Sequence, residues 1–343
     1  MLRIFCCAVF TLNVIRSFSL ETNFSEEFDL WSNRFKIRFE NWENRRHVYG
    51  NWVSNHLFIQ NTNRQNLSFE LGHNQFSGMS PEEFSRWLRG DTINAEVALL
   101  SKNYSVNSGP YISVPESVDW TKLGAVSYVK DQGQCGSCWS FSAAGALEGA
   151  FYINSGKLES FSEQQLVDCD TFLNGGKDHG CNGGLMQNAF TWISKNDGLC
   201  SEKDYPYVSG ITQKAGSCDE SCSNVDGTDV KEYMEVDSTD LALMASISQQ
   251  PVSVAIEADE RGFQLYKSGV FTGKCGTNLD HGVLAVGYGT EGGNDYYKIK
   301  NSWSTSWGED GYIRIGRGSQ YNGGKGQCGI LMEASYPVLF SAL

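Results

Sequence analysis

Between Phe24 and Asn63, apolar side chains recur at three- and four-residue spacing, with Leu30, Trp31, Phe35, Phe39 and Trp42 on one stripe. That period belongs to a helix, so the segment is predicted to be amphipathic helix. Ser80-Pro81-Glu82-Glu83 supplies a cap, a first-turn proline and acidic first-turn side chains, which predicts a second, short helix. Patterning fades over residues 91–113, where an Asn-Ser-Gly-Pro turn at 107–110 marks a linker. Beyond it the pattern changes again. The run from Cys138 to Ile153 is alanine-rich, with Leu147 and Phe151 four apart, and reads as helix. Pro251–Ile256, Gly282–Tyr288, Tyr296–Ile299 and Tyr312–Ile315 are short β-branched or aromatic runs set off by glycines, and read as strands. A helical half followed by a sheet half predicts an α+β domain of two packed lobes behind a separate helical region. No internal repeat is visible.

The extreme N-terminus follows a different logic. Arg3 precedes a mostly apolar run, Ile4 to Ile15, and Ser17 and Ser19 are spaced like a signal-peptidase site. Residues 1–19 are therefore expected to be an export signal, followed by a helical region at 20–113 and a larger domain at 114–343. Asn13 and Arg16 cut the apolar run short of the about 20 residues that a membrane span needs. No later stretch is long enough, so no membrane span is expected. The formal net charge is −13 over 343 residues. The part up to Ser113 is neutral, with 11 basic and 11 acidic residues, and the part from Val114 has 16 basic against 29 acidic. Such a surface disfavours nucleic acid and anionic membranes and suits an acidic compartment. Three Asn-x-Ser sequons, at Asn23, Asn66 and Asn103, all fall in the first region.

Export changes the meaning of the cysteines. Cys6 and Cys7 lie in the signal, and the other nine of the 11 fall from Cys135 onward. An odd count in an oxidising compartment suggests pairs plus one thiol kept free. Cys135 and Cys138, three apart in Gln132-Gly-Gln-Cys135-Gly-Ser-Cys138-Trp139, admit a metal clamp, a redox pair, or a structural thiol beside a reactive one. Zinc would want about four ligands, yet this part has only His179 and His281 and no second Cys-x-x-Cys. A redox pair is expected on a strand–helix unit of a smaller domain. The third reading explains the flanks: Cys138 opens the alanine-rich helix, where unpaired N–H groups and the helix dipole stabilise a thiolate. A nearby imidazolium would stabilise it further.

His281 is the better imidazole, at the mouth of the glycine-punctuated run Asp280-His281-Gly282-Val-Leu-Ala-Val-Gly-Tyr; His179 sits in a polar loop. Asn301, ahead of Ser302-Trp303, supplies an amide to accept from the ring N–H and fix its orientation. The indole of Trp303 would shield that bond from water. Gln132 is placed to donate to an oxyanion alongside the Cys138 N–H.

Together these blocks resemble papain-like cysteine proteases, the cathepsin L-like branch best. The blocks are QGQCGSCWSFSA from Gln132, Cys181-Asn-Gly-Gly184, Asp280-His281-Gly with Val286-Gly-Tyr-Gly, and Asn301-Ser-Trp303 with Trp307-Gly. The resemblance covers about 230 residues, from Val114 to Pro337, with the blocks in order. It implies a papain-like two-lobe fold, a helical lobe and a β-barrel-like lobe with the cleft between. It also implies Cys138 as nucleophile, His281 as base then acid, Asn301 as orienter and Gln132 as oxyanion donor. Disulfides are implied between Cys135 and Cys181, Cys169 and Cys218, and Cys275 and Cys328, and Cys200 and Cys222 are paired as a fourth. Cys138 is then the remaining thiol.

The region 20–113 resembles the inhibitory propeptide of the same branch through Trp52, Asn55, Ile59 and Asn63 and through Leu71-Gly72-His-Asn74-Gln-Phe76. It departs where the motif's acid and arginine fall on Asn44 and Val48, and where Gly78 replaces an aspartate. Ser304 replaces a glycine after Trp303. By resemblance, Gly183 and Gly184 pair with an extended peptide, and Leu185, Met186, Ala255 and Gly282 line an apolar pocket for the second residue before the scissile bond. Glu333 lies at the floor of that pocket and could add acceptance of arginine. No histidine-bearing insertion of the cleft-blocking sort stands near Cys181, so an endopeptidase is expected. The expected partners are protein and peptide substrates and the chain's own propeptide, on a monomer with no cofactor or metal. The destination is the secretory pathway, then a lysosome-like vacuole or the extracellular space. The rival reading is a catalytically silent binding or storage protein on the same fold.

Overall fold

The computed structural model describes residues 24–89 and 114–340. The export signal, the linker and the sequons at Asn23 and Asn103 lie outside the described residues. Asn66 is exposed in a turn.

Where one long helix was expected, there are two: α1 at residues 24–34 and α2 at Trp42–Asn63. The break comes at Lys36, whose φ of 53° leaves the helical region. The second helix then restarts on Asn41, whose side chain accepts from the Asn44 amide at 2.8 Å. Phe28, Trp31 and Trp52 close a small aromatic core between the two helices. A short strand β1, Phe69–Leu71, leads to α3, Pro81–Arg89, opened by Ser80 and Glu83 in a reciprocal cap.

After Val114 come β2 (Val118–Asp119) and the short α4 (Trp120–Leu123), then the helical lobe: α5 (Cys138–Ser155), α6 (Glu163–Cys169) and α7 (Met186–Lys195). The α5 run is small and apolar, so it is buried on all sides from Cys138 to Phe151 and forms the spine of the molecule. The turn α8 (Ser209–Thr212) precedes the sheet lobe of β3 (Val230–Glu235), α9 (Asp240–Ile247), β4 (Val252–Ile256), α10 (Arg261–Gln264), β5 (Tyr266–Phe271), β6 (His281–Glu291), β7 (Asn294–Lys300), β8 (Tyr312–Gly316) and β9 (Ala334–Leu339). Strand order is β1-β5-β8-β7-β6-β4-β9-β3, with β2 on β6. The pairs are antiparallel except β5 with β8. The α+β two-lobe expectation holds.

The first region is built into this sheet. β1 extends it at the β5 edge, pairing Phe69 with Gly269 and Glu70 with Ser268. Ile59, Leu71, Phe76, Phe84 and Leu88 merge into the sheet lobe's core with Phe263, Trp303 and Trp307. Four disulfides join Cys135–Cys181, Cys169–Cys218, Cys200–Cys222 and Cys275–Cys328, the pairing expected above.

Candidate active site

Cys138 is the free cysteine among the described residues, and it is the first residue of α5. The backbone amides of Gly282, Trp139 and Cys138 favour its thiolate. Gly282 follows His281 at the start of β6, so β6 and α5 meet at this point. A Cβ built on Gly282 would lie 3.3 Å from both N and Cα of Trp139. His281 Nε2 bonds Asn301 Oδ1 at 2.8 Å, while Nδ1 has no hydrogen-bond partner. The bond to Asn301 therefore fixes the ring and leaves Nδ1 as the available nitrogen. Trp303 stacks on the imidazole at 4.7 Å and 27° and is wholly buried.

Gln132 is also wholly buried. Its Oε1 accepts from Ser302 Oγ at 2.6 Å, and its Nε2 donates to Cys135 O at 3.0 Å. Ser302 was not anticipated; it fixes which end of the Gln132 amide carries the donor. Asp280 does not serve the histidine through its Oδ1, which accepts from the Ala258 amide at 2.8 Å.

Burial works against the thiolate expected at a helix end. Burial pushes the Cys138 thiol up to about 11 and holds the His281 imidazole down at about 4, although Asn301 raises it. Burial opposes both charged forms and outweighs the helix-end amides. Burial therefore favours the uncharged thiol and the uncharged imidazole here.

The first region packs on Trp303, the indole stacked on that imidazole. Phe76, Phe84 and Trp87 stand edge-on to Trp303 at 5.4, 5.5 and 5.6 Å. Gln75 Nε2 donates to Trp303 O at 2.7 Å. Asn74 donates to Gln264 O, and Gln264 Nε2 returns bonds to the carbonyls of Phe76 and Met79. Arg261 reaches Asn55 and Ser54 at 2.8 Å each.

The predicted pocket residues are partly brought together. A Cβ on Gly282 would approach Met186 Sδ at 3.2 Å. Met186 is buried, and Leu185, Ala255 and Glu333 are half-buried. Glu333 Oε2 accepts from Gln187 Nε2 at 3.3 Å. Gly183 and Gly184 stand in a loop bridged to α5's approach through Gly136 and Asn182. The Gly183 carbonyl is taken by the His179 amide at 2.9 Å. Gly184 admits no side chain, because a Cβ would lie 2.6 Å from Trp139 and 2.7 Å from Asp178.

Behind the site, Lys130 Nζ reaches Glu163 at 2.6 Å and Glu148 at 3.3 Å, and Lys300 bonds Ser127 at 2.9 Å. A cavity of about 20 Å³ lies among these groups and Asn301. Burial pushes Glu163 up to about 8, against the pull of Lys130. Nothing in the spacing of these residues marked them as a cluster.

A domain with a free thiol at a helix start, an amide-oriented imidazole and a docked N-terminal region has the build of a thiol-protease precursor. Family comparison agrees: residues 114–338 match the family described as "Papain family cysteine protease", and residues 28–84 match the "Cathepsin propeptide inhibitor domain (I29)". The chain belongs to the papain family of cysteine proteases. It is 49% identical over 282 residues to the "Probable cysteine protease RD21B" of Arabidopsis thaliana, covering 82% of this chain and 58% of that relative. To the "KDEL-tailed cysteine endopeptidase CEP2" of the same plant it is 42% identical, covering 94% of this chain and 88% of the relative. The chain thus spans little more than half the length of the RD21-type relatives. The recombinant stem bromelain precursor superposes with a TM-score of 0.82 at 35% identity, over 93% of this chain and all of that one. Digestive procathepsin L 3 of Tenebrio molitor larval midgut gives 0.78 at 35%, over 92% and 99%.

Proposed function

We propose that the protein is a cysteine endopeptidase made as an exported zymogen, with a signal at 1–19, an inhibitory propeptide at 20–113 and the mature enzyme at 114–343. The observation that carries this reading is the unbridged Cys138 on the first turn of α5, beside the residue whose histidine neighbour keeps Nδ1 unpartnered. Once the propeptide leaves, water returns to the cleft and the burial penalty on both charges falls. Nδ1 then takes the thiol proton, and the helix-end amides hold the thiolate. The thiolate attacks the peptide carbonyl while Gln132 and the Cys138 amide hold the oxyanion. His281 returns its proton to the leaving amine, and water hydrolyses the acyl-enzyme by the reverse route.

An extended substrate pairs with Gly184 and sets its second residue among Leu185, Met186, Ala255 and Gly282, which favours an apolar side chain. Arginine is accepted there when Glu333 is ionised. The silent binding-protein reading is disfavoured, because all four residues of the chemistry are present. No helix among the described residues is long and apolar enough to cross a membrane. A monomer in the secretory pathway, destined for a lysosome-like vacuole or the extracellular space, fits the acidic charge.

A thiol-directed epoxide should label Cys138 after acid activation and not before; absence of label in active preparations would sink the assignment. Gln132→Ala should lower kcat by about 10²–10³. If Glu333→Ala leaves the arginine-to-phenylalanine cleavage ratio unchanged, the dual pocket is wrong.

A further inference from the structure

The loop that carries Gly183 and Gly184 is tied by two buried carboxyl groups that the chemistry above does not use. Asp170 and Asp178 are each about 1% exposed. Their backbones are joined, Asp178 N donating to Asp170 O at 3.0 Å, with a bridge between Thr171 and Asp178. Asp170 Oδ1 accepts from Lys177 N at 3.0 Å. Asp178 Oδ1 accepts from Leu185 N at 3.0 Å and from Asn188 Nδ2 at 2.8 Å. The two Oδ2 atoms are buried without a hydrogen-bond partner, and each carboxyl acts on the ionisation of the other. Two buried, adjacent carboxyl groups with unpartnered Oδ2 atoms repel when both are ionised, which favours one proton on the pair. The charged groups acting on the pair are Lys177, in the loop, and Lys195, at the end of α7, both on Asp170. The nearby His179 ring lies against Phe172.

We infer that Asp170 and Asp178 share one proton, that this acid pair positions the peptide-binding loop through the Asp178–Leu185 bond, and that its ionisation weakens substrate binding at alkaline pH. These are positioning residues, resting on the peptidase reading above. Asp178 carries the proton on Oδ2 and donates it to Asp170, leaving Oδ1 to hold Leu185 and, through contact with Gly184, the pairing edge. Burial and the Asp170 charge push Asp178 up to about 9. The folded chain therefore holds a proton that the unfolded chain loses above its ordinary carboxyl range. Stability from the pair is full below about pH 4 and is lost as pH rises toward 9.

The test is kcat and KM of the acid-activated protein on a fluorogenic peptide, from pH 5 to 10, for the wild type, Asp178→Ala and Asp178→Asn. A misplacement of 1 Å can cost about 10²-fold, so a partial loosening should raise KM roughly tenfold. The wild type should show that rise above pH 8, separately from the limb of kcat set by the thiol and imidazole. Asp178→Ala should have the raised KM already at pH 5. Asp178→Asn keeps an N–H donor toward Asp170 and should retain the low KM with no alkaline rise. A pH-flat wild-type KM, or an alkaline rise in Asp178→Asn equal to that of the wild type, would overturn the inference. So would a KM that follows added calcium or chelator instead of pH. No peptidase activity at any pH would instead overturn the proposed function itself.

Discussion

Gly78→Asp is the substitution that best tests how the propeptide is held together, because Gly78 and Val48 are two of the three places where this region departs from its family's motif and they touch. A Cβ on Gly78 would lie 2.6 Å from Val48 Cγ1 and 2.9 Å from the Trp31 ring. The backbone has little room to yield, since Asn51 bonds Gly78 O and Asn55 bonds the carbonyls of Ser77 and Met79 on either side. Overpacking of this kind costs about 1–3 kcal/mol, and an uncompensated buried carboxylate about 3–5 kcal/mol. Even the lower figure of about 3 kcal/mol multiplies the open population by roughly 100. The measurement is native-state proteolysis of the propeptide in full-length protein carrying Cys138→Ala, where the cleavage rate follows the open fraction. Gly78→Asp should be cut about 100-fold faster. Val48→Arg combined with Gly78→Asp should recover at least half of the loss, because the new guanidinium pairs with the new carboxylate. The reasoning fails if Gly78→Asp changes the rate less than about threefold, or if the double variant is no slower than the product of the single effects.

Phe84→Ala removes a wholly buried ring packed on Phe76 and Trp303, and such truncations cost about 3–5 kcal/mol. The lag before self-activation at a fixed acidic pH should shorten at least tenfold, and an unchanged lag would refute the clamp. Iodoacetamide should modify Cys138 slowly in the zymogen below about pH 9, since burial holds the thiol at about 11, and quickly at pH 6 in the mature enzyme. Within the propeptide, His73 stacks on Trp52 at 4.5 Å and bonds His56 at 3.1 Å. Burial, with the His56 charge, holds His73 down at about 4, and burial lowers His56 against the pull of Glu27. The closed form thus binds fewer protons than an open one, and its stability falls as pH drops from about 6.5 toward 4. His73→Phe keeps the stack without the proton uptake, so the pH midpoint of activation should move lower; an unmoved midpoint would exclude His73 as a trigger.

Much of the site was legible because its chemistry is local. Cys138 declares itself by the odd cysteine count and by the alanine-rich helix behind it. His281 and Asn301 each stand beside a run whose glycines and β-branched residues already read as strand. Three of the disulfides followed from a family resemblance, and the fourth, Cys200–Cys222, from the two cysteines that this left over. The continuous helix over 24–63 was misread because the apolar stripe persists through a break that depends on one left-handed residue, Lys36, and on the capping of Asn41.

What the amino-acid sequence alone determined is the set of reactive groups, the order of the elements and the lobe each belongs to, since these depend on neighbours within a few residues. What only the tertiary structure decided is the charge on those groups. Whether Cys138 favours thiol or thiolate, whether Asp178 favours keeping its proton and whether Gly78 could be an acid depend on burial and on partners 144, 8 and 30 residues away in the chain. Desolvation depends on every atom that excludes water, and no local pattern records it.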